Sequence, residues 1–266
     1  MDDSAGKFRS LRTWKAVVAG AATLLGVSAA QADDAKVMFK AMSDYLGSLN
    51  AISFDYDSNL EVVTTQNQKL ALASSGTLAL NRPDKVRATR TGGFADVAMG
   101  FDGKTLTLLG KNLNIYAQVD VPGTIDHLVD ELRNKYHRPV PAADLLMSNP
   151  YDQLMPLVVD AKDLGSGVIG GVECDHLAFR TKDVDWQIWM TQGTNPHPCR
   201  YVITSKDVPG WPQYTIDVRT WKTGADAAQG GFSLSIPKDA KKVEPGALTD
   251  FDELGGIFKI KGGQRS

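Results

Sequence analysis

The feature that most constrains this chain is the run Phe54-Asp-Tyr-Asp-Ser-Asn-Leu-Glu-Val62, in which apolar side chains alternate with Asp55, Asp57, Asn59 and Glu61. A period of two puts alternate residues on opposite faces, so the run predicts an antiparallel strand with one face in a core and the other in water. Similar runs at 70–80, 85–91, 95–101, 105–109 and 114–119 are separated by Asn81-Arg-Pro-Asp84, Gly92-Gly93 and Asp102-Gly-Lys104. Glycine tolerates positive φ and Asp-Gly favours a tight hairpin. Strands joined by hairpins stay neighbours in space, which predicts one wide, twisted antiparallel sheet built as a meander.

Helical spacing interrupts this pattern twice. Residues 36–46 predict a short amphipathic N-terminal helix. Farther on, Pro122-Gly-Thr124 stops a strand and offers Thr124 as an N-cap. Ile125, Leu128, Val129, Leu132 and Tyr136 then form a stripe, with Asp126, Asp130, Glu131, Arg133 and Lys135 on the opposite face. Short helices are predicted at 142–147 and 151–159, and strands resume from 167, at 172–180, 186–191, 200–205, 213–220 and 232–236. The order strands, helices, strands predicts an α+β fold, mainly antiparallel β, with helices laid against one face of a long sheet.

The first thirty-two residues read as an export signal. Lys7, Arg9, Arg12 and Lys15 make a basic start, residues 16–27 are apolar or small, and Ala30-Gln31-Ala32 is a cleavage pattern before Asp33. The apolar run falls short of the roughly 20 residues a membrane-spanning helix needs. No cysteine stands at the cleavage point for a lipid anchor, and Arg9 and Arg12 are separated, which favours general export over a twin-arginine route. The expectation is a periplasmic protein without an integral membrane segment after cleavage, residues 33–266 forming one domain. The full chain has 29 basic and 31 acidic residues, and losing the leader's four basic and two acidic residues leaves 25 against 29. Without a concentrated basic patch, nucleic acid is excluded as a partner.

Three motifs are weighed and set aside as catalytic or cofactor sites. Gly165-Ser-Gly167-Val-Ile-Gly170 spells a dinucleotide fingerprint but is followed by strand-like alternation, where no helix N-terminus can hold a pyrophosphate. Asp175 and His176 are strand neighbours that point to opposite faces, and the four histidines of the mature part, His127, His137, His176 and His197, form no metal-ligand spacing. His176 is expected to hydrogen-bond within the sheet or lid. No G-x-S-x-G elbow occurs, and Asp130 with Glu131 lies on a solvated helix face. No enzyme, cofactor or metal is expected.

Cys174 and Cys199, the only cysteines, each begin a predicted strand with one strand between them. In a plain meander those starts lie about 10 Å apart, beyond disulfide reach unless a loop folds across. The segment Pro196-His-Pro-Cys199 can supply such a loop, so a disulfide and two buried thiols both stay open. Trp186, Ile188 and Met190 share one strand face while Trp189 lies on the other, so both faces of that strand should be covered.

Gly171-Val-Glu-Cys-Asp-His-Leu-Ala-Phe-Arg180, Asp185-Trp-Gln-Ile-Trp-Met190 and Arg200-Tyr-Val-Ile-Thr204, with Thr124-Ile-Asp-His-Leu128 and Asp144-Leu-Leu146, resemble the DUF2092 family of predicted periplasmic proteins over nearly all of the mature chain. That family is similar in fold to LolA/LolB-type lipoprotein carriers, in which a curved sheet forms a half-barrel lidded by helices. The resemblance implies an apolar cavity between sheet and lid, and no activity.

Together these readings predict a non-enzymatic binding or carrier protein for an apolar ligand, a lipid or acyl chain, free or on a lipidated protein. The expected walls are Phe54, Tyr56, Leu60 and Val62, then Trp186, Ile188 and Met190, with the lid stripe Ile125, Leu128, Val129 and Leu132. The alternative is an envelope interaction module whose half-barrel is filled by its own side chains, meeting a protein partner at a sheet edge or through residues 255–266.

Overall fold

A computed structural model of the chain describes residues 24–136, 140–227 and 231–244. The leader's basic start and most of its apolar run lie outside the described residues. Helix α1, Leu24–Ser48, is much longer than the expected 36–46, because the preceding Ala-rich segment contains good helix formers and no proline to stop it. It ends where the Ser48 hydroxyl donates to the Tyr45 carbonyl at 2.7 Å.

The first meander is β1 (Ala51–Val63), β2 (Lys69–Asn81), β3 (Lys85–Gly92), β4 (Ala95–Phe101), β5 (Thr105–Gly110) and β6 (Ile115–Asp120). Helix α2, Ile125–Asn134, follows, with the Thr124 hydroxyl accepting from the His127 N–H. The predicted helix at 142–147 is a 3-10 turn, Ala143–Leu146, and that at 151–159 is split into α3, Pro150–Leu154, and a second 3-10 turn, Met155–Leu157. Pro156 cannot donate the amide a longer α-helix would need.

The second meander is β7 (Asp160–Ile169), β8 (Val172–Arg180), β9 (Val184–Thr191), β10 (Pro198–Ser205) and β11 (Gln213–Thr223). Strand β7 begins earlier than the expected resumption at 167. Its pairing with β8 is irregular between Asp163 and Ser166, where Gly165 has φ +79°, and Gly170 and Gly171 make the turn to β8 at positive φ. The G-x-G-x-x-G motif is therefore a bulge and a hairpin with no helix after it.

One twelve-stranded sheet results, in the order β12-β6-β5-β4-β3-β2-β1-β11-β10-β9-β8-β7, with β12 the pair Lys241–Lys242. It is curved and unclosed. It is not a single meander, because β11 returns to pair antiparallel with β1, setting Tyr56 opposite Val218 and Leu60 opposite Tyr214. Strands β6 and β7, consecutive among the long strands of the chain, thus stand far apart. The connection between them carries α2, the 3-10 turns and α3 across the concave face as a lid, joined by α1.

The predicted strand at 232–236 does not form. Residues 231–234 lie instead against the convex face. The Arg87 guanidinium donates to the Gly231 carbonyl at 3.1 Å, and a Cβ on Gly100 would come within 2.6 Å of the Phe232 carbonyl. The chain then pairs β12 in parallel with the outer edge of β6, Lys241 opposite Ile115.

Between lid and sheet lies one core. Phe39, Met42 and Leu46 of α1, Ile125 and Leu128 of α2, and Ile52, Leu80, Phe101, Leu106, Leu177 and Ile188 of the sheet are all at most 2% exposed. The Phe39 ring sits 5.2 Å from Trp186 and 5.5 Å from Phe179.

Candidate functional site: the concave face and its lid

Strand register places Ile52, Phe54, Tyr56, Ser58 and Leu60 of β1 on the concave face beside Leu80, Leu78, Gly76, Ser74 and Leu72 of β2. Val86, Ala88 and Arg90 of β3, Phe101, Met99 and Val97 of β4, and Leu106 and Leu108 of β5 continue that face. It has two unlike parts. Near Ile52, Leu80, Val86, Phe101 and Leu106 the lid closes over it and the side chains are buried. Around Leu60, Leu72, Leu78, Val97, Met99 and Leu108 the same face is only partly buried, leaving an apolar strip.

A polar island is set into that strip. The Tyr56 ring lies across Gly76, whose absent side chain makes room for it, and its hydroxyl donates to the Thr89 carbonyl at 2.8 Å. Ser58 and Ser74, both buried, share a hydrogen bond at 2.8 Å. Arg90 reaches over the Phe94 ring, 5.5 Å from its centroid, and its charge acts on Tyr56 and Tyr214. Burial pushes both phenols above their ordinary pKa, so they stay neutral hydrogen-bonding groups.

The lid is pinned by polar contacts that hydrophobic periodicity does not reveal. Arg82, in the β2–β3 turn, donates to the carbonyls of Leu49, Leu146 and Met147. The Asp126 carboxylate accepts from the Ser148 amide at 2.9 Å and from its hydroxyl, and Arg133 of α2 pairs with Asp144 of the 3-10 turn. The Asn149 side chain caps α3, and the Tyr151 amide donates to the Ser43 hydroxyl of α1 at 2.9 Å.

The enclosed space between lid and sheet is small. Leu46, Ile52, Phe54, Leu145, Tyr201 and Trp221 are among the side chains around an almost wholly apolar void of about 30 Å³. A ligand pocket typically holds about 300–1,000 Å³, so this void takes at most a water or two.

Nine of the eleven wall candidates, Phe54, Tyr56, Ile125, Leu128, Val129, Leu132, Trp186, Ile188 and Met190, fall in the one buried core. Leu60 borders the strip, and Val62, also buried, stands outside that cluster. The residues around the void on α1, the 3-10 turn, β10 and β11 are not singled out by sequence reasoning. The alternation Tyr201, Ile203 and Tyr214, Ile216, Val218 was the available signal.

The convex face explains Trp189. Its indole lies parallel to the His176 imidazole at 3.8 Å and carries the Arg200 guanidinium 5.9 Å from its centroid. Arg200 in turn pairs with Asp217, and Arg219 with Asp57. His176 bonds Gln187 at 2.9 Å, within the sheet. Cys174 and Cys199 are joined as a disulfide with Cα atoms 6.9 Å apart. The plain-meander spacing of about 10 Å is shortened because the β9–β10 register slips between Pro198 and Arg200, at Cys199 itself. Among the described residues no three His, Cys, Asp or Glu side chains converge as a metal site, and no helix is long and apolar enough to cross a membrane.

The profile of the family described as "Predicted periplasmic protein (DUF2092)" matches residues 35–245. A search of curated proteins finds no match. Among solved structures, the chain is similar to an uncharacterized conserved protein from Thermus thermophilus, at 13% identity and TM-score 0.43, over 79% of this chain and 99% of that one. It is also similar to a chain of the Pseudomonas aeruginosa MucA/MucB complex, at 15% identity and TM-score 0.43, over 77% of this chain and 63% of that one, less than two thirds of its length. A third is Mycobacterium tuberculosis lipoprotein LppX, at 11% identity and TM-score 0.40, over 76% and 99%.

Proposed function

The chain belongs to the DUF2092 family of predicted periplasmic proteins, and from that premise we propose that it is a non-enzymatic periplasmic binding protein, released by cleavage after Ala32, that shelters an apolar ligand such as an acyl chain against its concave face. The observation that carries this reading is the apolar strip through Leu60, Leu72, Leu78, Val97, Met99 and Leu108, left partly buried beside a closed core. Burying a ligand there gains about 0.8 kcal/mol per methylene removed from water, with little need for polar chemistry. The ligand would enter at the strip, because the void under the lid is far too small for it.

That same tight void favours a second reading, an envelope interaction module whose core is filled by its own side chains. Mass spectrometry of an organic extract of the protein, purified from its native envelope without detergent beside an equally treated control, separates the two. A stoichiometric apolar species supports the binding reading. An extract indistinguishable from the control overturns it in favour of the interaction module.

A further inference from the structure

Trp211, in the loop between β10 and β11, is 58% exposed, whereas Trp186, Trp189 and Trp221 are buried or half-buried. That exposure is built into the loop. The Trp211 amide donates to the Val208 carbonyl at 3.0 Å, closing a turn with Pro209 second and Gly210 third at φ +92°, the type II pattern. Trp211 itself stands at φ +48°, a conformation that bulky side chains rarely adopt. The loop is also seated firmly. A Cβ on Gly210 would stand 3.0 Å from a Val63 methyl, the Ser205 amide donates to the Pro212 carbonyl at 3.1 Å, and the Lys206 ammonium donates to the Thr181 carbonyl at 2.6 Å. The fold thus accepts backbone strain and holds a large aromatic ring out in water.

The surroundings of the ring decide what it can meet. Lys69, Thr204, Gly210 and Gln213 line the shallow cleft beside it. Leu60 opposite Tyr214 marks the concave face, so strand register sets Lys69, Thr204 and Gln213 on the convex side. Lys69 pairs with Glu61 at 3.2 Å, and the Gln213 side-chain amide donates to the Thr204 hydroxyl at 3.0 Å, which orders these groups. The adjoining β1–β2 turn, Thr64-Thr-Gln-Asn-Gln68, carries only hydroxyl and amide side chains. A bilayer or a protein hot spot calls for further apolar or basic side chains around the tryptophan. A sugar instead presents C–H groups on one face, which suit the negative face of an indole, and hydroxyls around its edge, which suit an ammonium, a hydroxyl and amides. We propose that the Trp211 loop is a carbohydrate-binding platform, in which the indole receives a pyranose ring and Lys69, Thr204 and Gln213 meet its hydroxyls. It lies on the opposite face from the apolar strip and is independent of whether a ligand occupies that strip.

The test titrates the full mature chain calorimetrically with cellohexaose, a neutral β-linked glucan, and with N-acetylchitohexaose, its acetamido counterpart. Trp211→Asn removes the ring and suits a left-handed backbone, so its urea midpoint should match or exceed the parent's. The expected result is that at least one glycan binds the parent and binds Trp211→Asn about tenfold more weakly. Gln213→Ala should weaken binding about threefold. Whichever glycan binds distinguishes a neutral from an amino sugar as the source. No binding of either glycan to the parent, or equal binding to Trp211→Asn, overturns the proposal. Retention of the parent but not Trp211→Asn on phosphatidylethanolamine–phosphatidylglycerol vesicles, with no glycan bound, overturns it in favour of a bilayer anchor. Should Trp211→Asn fail to fold, acrylamide quenching of the parent decides: saturating glycan that shields the tryptophan fluorescence supports the platform, and unchanged quenching overturns it.

Discussion

The Arg82 guanidinium donates from Nη1 to the Leu146 carbonyl at 2.8 Å, and with its bonds to Leu49 and Met147 it ties the end of α1 and the lid to a turn of the sheet. Burial works against its charge and Asp126 works for it, burial being the larger influence.

Arg82→Met keeps the aliphatic stem and removes all three bonds. Charged hydrogen bonds of this kind contribute about 1.5–3 kcal/mol each, with partial recovery from water at the lid margin. A loss of about 2–3 kcal/mol in urea unfolding is expected, with faster amide exchange in 143–157. An unchanged midpoint would mean that apolar packing alone holds the lid.

Gly76→Ala places a Cβ 2.0 Å from the Thr89 carbonyl oxygen and 2.6 Å from the Tyr56 ring. Since backbone is one of the two neighbours, the sheet must shift and Tyr56 must leave Thr89, at about 1–3 kcal/mol. Tyr56→Phe keeps the ring over Gly76 and loses only the hydrogen bond, about 1 kcal/mol. Equal costs for the two variants would refute the close approach.

The disulfide between Cys174 and Cys199 closes a loop of sequence separation 25. Constraint of the unfolded chain by a loop of that size stabilises by about 3 kcal/mol. Replacing both cysteines with serine should lower the unfolding midpoint to that extent, and added reductant should lower the parent's midpoint but not the variant's. A parent insensitive to reductant contradicts this.

His197 stacks on Trp221 at 4.8 Å, and burial lowers its pKa more than the Asn195 carbonyl raises it; His176 is lowered by burial against the pull of Gln187 and Asp163. A histidine whose folded pKa lies below its unfolded value of about 6.5 binds its proton more readily when unfolded. The stability it contributes is present above that value and is lost as pH falls toward the folded pKa. Urea midpoints should therefore drop between pH 7.5 and pH 5.5, above the range where carboxylates titrate. His197→Phe, which keeps the stack, should flatten that slope, and an identical slope in the variant would remove His197 as its source.

What was legible in the chain was local. The alternation around Tyr56 marks β1, Asp102-Gly-Lys104 marks a hairpin, and Thr124 with Ile125, Leu128, Val129 and Leu132 marks the cap and buried face of α2. Each signal is written within a few residues, because strand and helix periods and turn dihedrals depend on near neighbours. The apolar candidates of the site follow from the same patterns. Periodicity says which residues face inward, not whether they meet other side chains or a hollow, so Trp186 and Ile188 went into packed core while Leu60 borders the open strip.

By itself, then, the sequence determined most of the strands, the buried face of α2 and the order sheet, helices, sheet, while the helix at 151–159 and the strand at 232–236 were read from local pattern and did not form as such. Tertiary structure alone decided that β11 pairs with β1, that β6 and β7 stand apart, and that the lid crosses between them. It also decided that Arg82 clamps that lid, that Phe232 and Leu234 lie across the convex face instead of in a strand, and that a slip at Cys199 closes the distance to Cys174. The physical reason is common to all of these. Long-range partners are chosen by which edges and carbonyls remain unsatisfied once local structure has formed, and that competition is settled in three dimensions.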